Sequence, residues 1–137
     1  MNILDYSAKD PAAVPVTATA AEAIDAMISR RMGAAAIVDD KGIVAGIFTE
    51  RDVLTKVVLS GKDPHKLPVH EVMTVPVLMA TRGTGIAEAL QVMIDNQHRH
   101  LPVVEEDGTL IGMLSIRHVL ERKVDELTKQ LAESVKA

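Results

Sequence analysis

The stretch Gly46-Ile47-Phe48-Thr49-Glu50-Arg51-Asp52 recurs as Gly112-Met113-Leu114-Ser115-Ile116-Arg117-His118. Each copy reads glycine, two apolar residues, a hydroxyl residue, a variable residue, arginine and a polar residue. The copies agree in type at every position except the last, where Asp52 becomes His118. The offset from Gly46 to Gly112 is 66 residues, and it extends well beyond the motif. It maps Glu22 to Glu88, Ala23 to Ala89, Met27 to Met93, Ile28 to Ile94, Ile37 to Val103, Val38 to Val104 and Gly42 to Gly108. Two copies of a unit of roughly 60 residues therefore fill the chain. A unit this small buries too little surface to be stable alone. The copies are expected to share one core about an approximate two-fold axis.

Within a unit the order reads strand, helix, strand, strand, helix. In the first copy Val14 to Thr17 is extended. Thr19 is a helix N-cap with Glu22 as its capping-box partner. Ala23, Ala26, Met27 and Arg30 follow at helical spacing, and Gly33 stops the helix. Ala34 to Val38 suits a buried strand. Asp40-Lys41-Gly42 is a hairpin turn, and Ile43 to Phe48 is the return strand. Thr49 opens a helix through Val58, ended by Ser60-Gly61. In the second copy Val77 to Ala80 is the opening strand, and Thr84 or Gly85 starts a helix to about Asn96. Leu101 to Val104, the turn at Glu106-Asp107-Gly108 and Leu110 to Leu114 make the hairpin. Ser115 opens the last helix. Lys62 to Pro68, with two prolines, is the linker. The fold class is α+β, sandwich-like: two pseudo-symmetric repeats, each a three-stranded sheet with two helices. The units are bounded at residues 12–62 and 69–124, with a helical extension over 125–137.

In that extension Leu120, Val124, Leu127, Leu131 and Val135 form an apolar stripe. The stripe either covers the chain's own core or packs on a second subunit.

Apolar residues make up 47% of the 137 residues, yet Phe48 and Tyr6 are the only aromatics. Base stacking is poorly served, and a net charge of −4 opposes wrapping a phosphate backbone, so nucleic-acid binding is not expected. With no cysteine, disulfides, thiolate nucleophiles and cysteine-ligated zinc are excluded. That suits a reducing cytoplasm, the expected location. Neither a signal peptide nor a membrane-spanning run is visible.

The sequence resembles a tandem pair of CBS domains, a Bateman module. Gly46 to Asp52 matches the family's Gly-hydrophobic-x-Ser/Thr-x-x-Asp pattern. Met32 to Asp39, Val72-Met73-Thr74, Arg99 to Val104 and Glu106 to Gly112 match as well. The resemblance covers about residues 12 to 124. It implies two clefts between the repeats that bind adenosine-containing ligands such as AMP, ADP, ATP, S-adenosylmethionine or NADH, and a role in sensing. It also implies a homodimer and a protein effector, which the sequence does not name. No attached effector is recognisable in the chain.

In the ligand reading, the Asp52 carboxylate accepts from both ribose hydroxyls. Thr49 bonds a phosphate or ribose oxygen near the free amides of a helix N-terminus. The competing reading is that Thr-x-x-Asp is a capping box. Inside this repeat the ligand reading is favoured, and one hydroxyl can serve both. Arg51 and its equivalent Arg117 either turn toward phosphates or are solvated. Ser115 keeps the cap, but a neutral His118 offers one acceptor nitrogen where a carboxylate offers two oxygens. The second cleft, Ser115, Arg117 and His118, is therefore altered: empty, or suited to a more anionic ligand. Arg99 and His100 are candidate phosphate contacts. Val16, Thr17, Ala35 and Ala36 are candidate adenine-pocket residues, because small alanines leave room for a ring.

His98-x-His100 with His118 lacks the spaced carboxylate or cysteine that would make a metal site, so no metal is expected. No nucleophile–base pair, glycine-rich phosphate loop or required cofactor appears at telling spacing. An enzyme is therefore not expected. A regulatory adenosine-ligand sensor is favoured, and an interaction module with unused clefts is the alternative.

Overall fold

The computed structural model describes residues 2–136. Two sheets stand back to back. One is three-stranded, in the order β2 (Ala13–Pro15), β3 (Ala34–Val38), β4 (Val44–Thr49). The other is four-stranded, in the order β1 (Ser7–Ala8), β7 (Leu110–Ser115), β6 (His100–Val104), β5 (Ala80–Thr81). Four helices accompany them: α1 (Ala20–Arg30), α2 (Glu50–Asp52), α3 (Ile86–Asp95) and α4 (Ile116–Lys136). Helix α2 is one turn long and continues as a π-helical stretch, Val53–Val58. No helix among the described residues is long and apolar enough to cross a membrane.

The repeat is visible in backbone detail. Each hairpin carries a register irregularity at the same place, between Ile37 and Val38 and between Val103 and Val104. Each hairpin turn has a glycine at positive φ, Gly42 at 82° and Gly108 at 94°. The two turns bond each other: Val44 N–H donates to Gly108 O, and Leu110 N–H to Gly42 O, both at 3.1 Å.

The halves are also interlocked. The N-terminal segment supplies β1 to the sheet of the second half, pairing Ser7 with Leu114 and Ala8 with Met113. That edge makes the second sheet four-stranded where three strands were expected. The segment just after the linker does the equivalent for the first half, where Thr74 bridges Ile47. The motif glycines allow these crossings. A Cβ at Gly46 would run into the side chain of Met73, and one at Gly112 would lie 3.2 Å from Ala8 O. Each half thus closes its core with a segment outside its own hairpin. Leu67, Val69 and Val72 join the first core around Phe48 and Ile37, and Ile3 and Tyr6 join the second around Met93 and Leu101. Ala34, Ala36, Ile47 and Met113 fill the seam. Burying each large aliphatic contributes about 1.5–3 kcal/mol.

Two local expectations shift, and one alternative is resolved. Helix α1 ends at Arg31, held left-handed at φ 54°, rather than at Gly33. The opening strand of the second half is Ala80–Thr81, not Val77–Ala80, and Gly85 is the N-cap of α3.

Candidate ligand site

Thr49 ends β4 in extended conformation and caps α2. Its Oγ1 accepts from Asp52 N–H at 3.2 Å, and its own N–H donates to Asp52 Oδ2 at 3.0 Å. The capping box is therefore real. It also holds the carboxylate inward, because Asp52 is only 5% exposed. Two further groups converge on it. Lys56 Nζ lies 3.0 Å from Oδ1, and Thr74 Oγ1 lies 3.0 Å from Oδ1 and 3.1 Å from Oδ2. Lys56 Nζ also donates to Val72 O at 3.2 Å. A carboxylate expected to offer free acceptors is thus already supplied with backbone, hydroxyl and ammonium donors. These donors supply the hydrogen bonds that a buried carboxylate requires. Lys56 and Thr74 were missed by the sequence reading. Lys56 had a local signal, four residues along the helix from Asp52. Thr74 had none, because only the crossing of the linker brings it near.

The adenine candidates are not assembled around this carboxylate. Thr49 pairs with Ala34 at the start of β3, whereas Val16 N–H donates to Val38 O at its end. Four residue steps separate those ends, about 13 Å. Thr17 is exposed there. Ala35 and Ala36, adjacent in β3, face opposite sides. Ala35 packs with Phe48 in the first core and Ala36 lies in the seam, both fully buried. Strand alternation thus puts Ala35 and Ala36 on opposite faces, and strand direction puts Val16 and Thr17 at the other end of β3 from Thr49.

Arg99 and His100 also stand elsewhere. They line a groove of about 1310 Å³ together with Glu50, Ser115 and Arg117, and Asp52 lies outside its lining. The halves approach closely here: a Cβ on Gly33 would sit 2.8 Å from Glu50 Oε1 and 3.0 Å from His100 Cε1. Burial lowers the His100 pKa below its ordinary 6.5, opposed by Glu50 and reinforced by Arg99. The groove walls are apolar, with Met27, Ile28, Leu54, Leu120 and Val124 among them.

Ser115, Arg117 and His118 are brought together. They share a cavity of about 220 Å³ with Arg30, Arg31 and Ala8. Ser115 Oγ accepts from His118 N–H at 3.1 Å, repeating the cap of Thr49. Arg30 and Arg31 were not foreseen. The repeat offset carried the signal, because it sets them against the neutral Asn96 and Gln97. Arg51 is exposed.

This architecture, two hairpin repeats each carrying a capped Gly-x-x-Ser/Thr motif, agrees with the comparisons. The CBS domain profile matches twice, over residues 3–59 and 69–125, and the chain belongs to the CBS domain family. An uncharacterized protein of Methanopyrus kandleri is 35% identical over 105 residues, 77% of this chain. The chain spans 54%, about half, of that relative's length. A solved CBS-domain protein from Burkholderia ambifaria is 29% identical, with a TM-score of 0.79 and coverage of 91% of this chain and 95% of that one. A CBS domain protein from Pyrobaculum aerophilum, complexed with AMP, has a TM-score of 0.79 at 23% identity, covering 89% of this chain and 97% of that one.

Proposed function

We propose that the chain is a regulatory module that binds an adenosine-containing ligand such as AMP at Thr49 and Asp52 and reports binding to a partner. The observation that carries this reading is the buried Asp52 carboxylate. It is held by the first turn of a helix and met by two side-chain donors, Thr74 and Lys56, that a pair of ribose hydroxyls would replace. The AMP complex of a fold neighbour supports the ligand class. AMP, ADP, ATP, S-adenosylmethionine and NADH are the candidates.

The route to a partner runs along the same element. Asp52 and Lys56 flank Leu54, which lines the apolar groove. Releasing Lys56 from Asp52 would loosen the π-helical stretch Val53–Val58. Such wide turns are often found at functional positions.

The groove favours assembly as a homodimer. Leu120, Val124, Leu127 and Leu131 are each more than half exposed on α4, and the first two line the groove with Ile28 and Leu54. The same face supports the second reading, an interaction module whose clefts stay empty. A thermal-shift panel of the five ligands separates the two. A ligand at 100 times its Kd adds about 2.7 kcal/mol; a flat response to all five would leave the interaction module.

A further inference from the structure

The open cavity around His118 is bounded by three pieces of chain: the end of α1, the start of α4 and the segment following β1. Four of its lining side chains carry or can carry positive charge: Arg30, Arg31, Arg117 and His118. Two carboxylates answer them. Asp10 Oδ2 lies 3.3 Å from Arg30 Nε, and Glu121 Oε1 lies 3.1 Å from Arg117 Nε. Both ion pairs are made through Nε, and a guanidinium has four further N–H donors at its terminal nitrogens. Arg31 makes no ion pair with a carboxylate among the described residues. Three arginines against the two carboxylates leave one net positive charge, His118 aside.

The 66-residue offset shows what this cavity has become. The positions equivalent to Arg30, Arg31 and His118 are Asn96, Gln97 and Asp52. All three differences move charge in the positive direction, and they come from two elements distant in sequence. Asp10 and Glu121, against Pro76 and Thr55, return two negative charges as the counter-ions just described. Loss of the carboxylate alone would have left an inert cleft. Its coincidence with two gained arginines indicates exchange of one ligand chemistry for another.

Size points the same way. A volume of about 220 Å³ is below the ~300–1,000 Å³ of pockets that enclose drug-sized molecules and accommodates a tetrahedral oxyanion. Guanidinium forks bind such oxyanions bidentately, and the N-terminus of the 21-residue α4 adds a favourable dipole. Arg31 itself sits left-handed at φ 54°, where glycine would be unstrained. Its repeat equivalent Gln97 has the same conformation at φ 57°, so the left-handed turn belongs to the fold and only the charge is particular to this copy.

We propose that this second cleft binds inorganic phosphate or diphosphate through Arg30, Arg31 and Arg117, with Ser115 and His118 at its floor. The proposal goes beyond the adenosine reading and stands without it.

The test is calorimetric titration of the whole chain with pyrophosphate and with inorganic phosphate at fixed ionic strength. Wild-type chain should bind one pyrophosphate saturably. Arg31→Gly should weaken that binding at least tenfold while raising the Tm of the unliganded protein, because glycine relieves the left-handed strain. Arg30→Gln with Arg31→Gln should weaken it equally, and Asp52→Asn should leave it unchanged. The proposal is overturned by no saturable binding, by unchanged affinity in the arginine variants, by loss in Asp52→Asn alone, or by heats that sodium chloride reproduces. Adenosine, which lacks phosphate, reports separately on the Asp52 position. Its thermal shift should survive Arg31→Gly, and its absence bears only on the first reading.

Discussion

Thr74 places its hydroxyl within hydrogen-bond distance of both carboxylate oxygens of Asp52, 3.0 and 3.1 Å away, across 22 residues of chain. This contact ties the start of the second unit to the motif of the first half. Its hydroxyl and an incoming ribose would compete for the same acceptors. Thr74→Val removes the competitor without changing shape. Urea denaturation should show a loss of about 1 kcal/mol for the missing bond, and titration should show AMP binding roughly fivefold tighter. Weaker AMP binding in Thr74→Val would instead make Thr74 a direct ligand contact.

Gly46 and Met73 form the matching steric pair. A Cβ at Gly46 has no room while Met73 crosses over it. Gly46→Ala is expected to cost about 1–3 kcal/mol through overpacking, and Met73→Ala in the same chain should recover much of that. A double-mutant cycle in urea checks the coupling. Additive losses would mean that Gly46 is required for another reason.

His100 gives the fold a pH dependence of definite sign. Burial holds its folded pKa below 6.5. The unfolded chain therefore binds more protons between those two values. The contribution is complete above about pH 6.5 and is lost as pH falls from there through the folded value. Glu50 opposes the shift and Arg99 reinforces it. The urea midpoint should drop between pH 7.5 and 5.5, and His100→Gln should flatten that part of the decline. An unchanged slope in His100→Gln would assign the effect to other groups.

The apolar face of α4 is tested by charge. Leu120→Asp with Leu127→Asp sits on exposed positions, so the fold should tolerate both. Sedimentation should show a dimer for the wild-type chain and a monomer for the variant. The same mass for both would show that another face carries the association.

Much of this molecule was legible because its signals are local and stated twice. The capping box of Thr19 and Glu22, the glycine turns at Gly42 and Gly108, and the hairpins follow from short-range patterning in each repeat. What stayed hidden depends on distant chain. The two-residue strand Ser7–Ala8 is too short to carry a periodic signal and exists only by pairing with β7. Thr74 reaches Asp52 for the same reason. The spacing of the adenine candidates was hidden as well, since parallel pairing of β2 with β3 carries Val16 and Thr17 to the far end from Thr49. Gly33 looked like a helix stop, but the close approach of Glu50 and His100 explains its glycine, and Arg31 turns the chain instead.

The central claim is that Asp52 holds the ribose of an adenosine ligand. Calorimetric titration of AMP into the wild-type chain and Asp52→Asn tests it most directly, because asparagine keeps the shape and the helix cap. The account predicts saturable binding to the wild-type chain and at least a tenfold loss, about 1.4 kcal/mol, in Asp52→Asn with the fold retained. Equal affinity of the two proteins for AMP would contradict it.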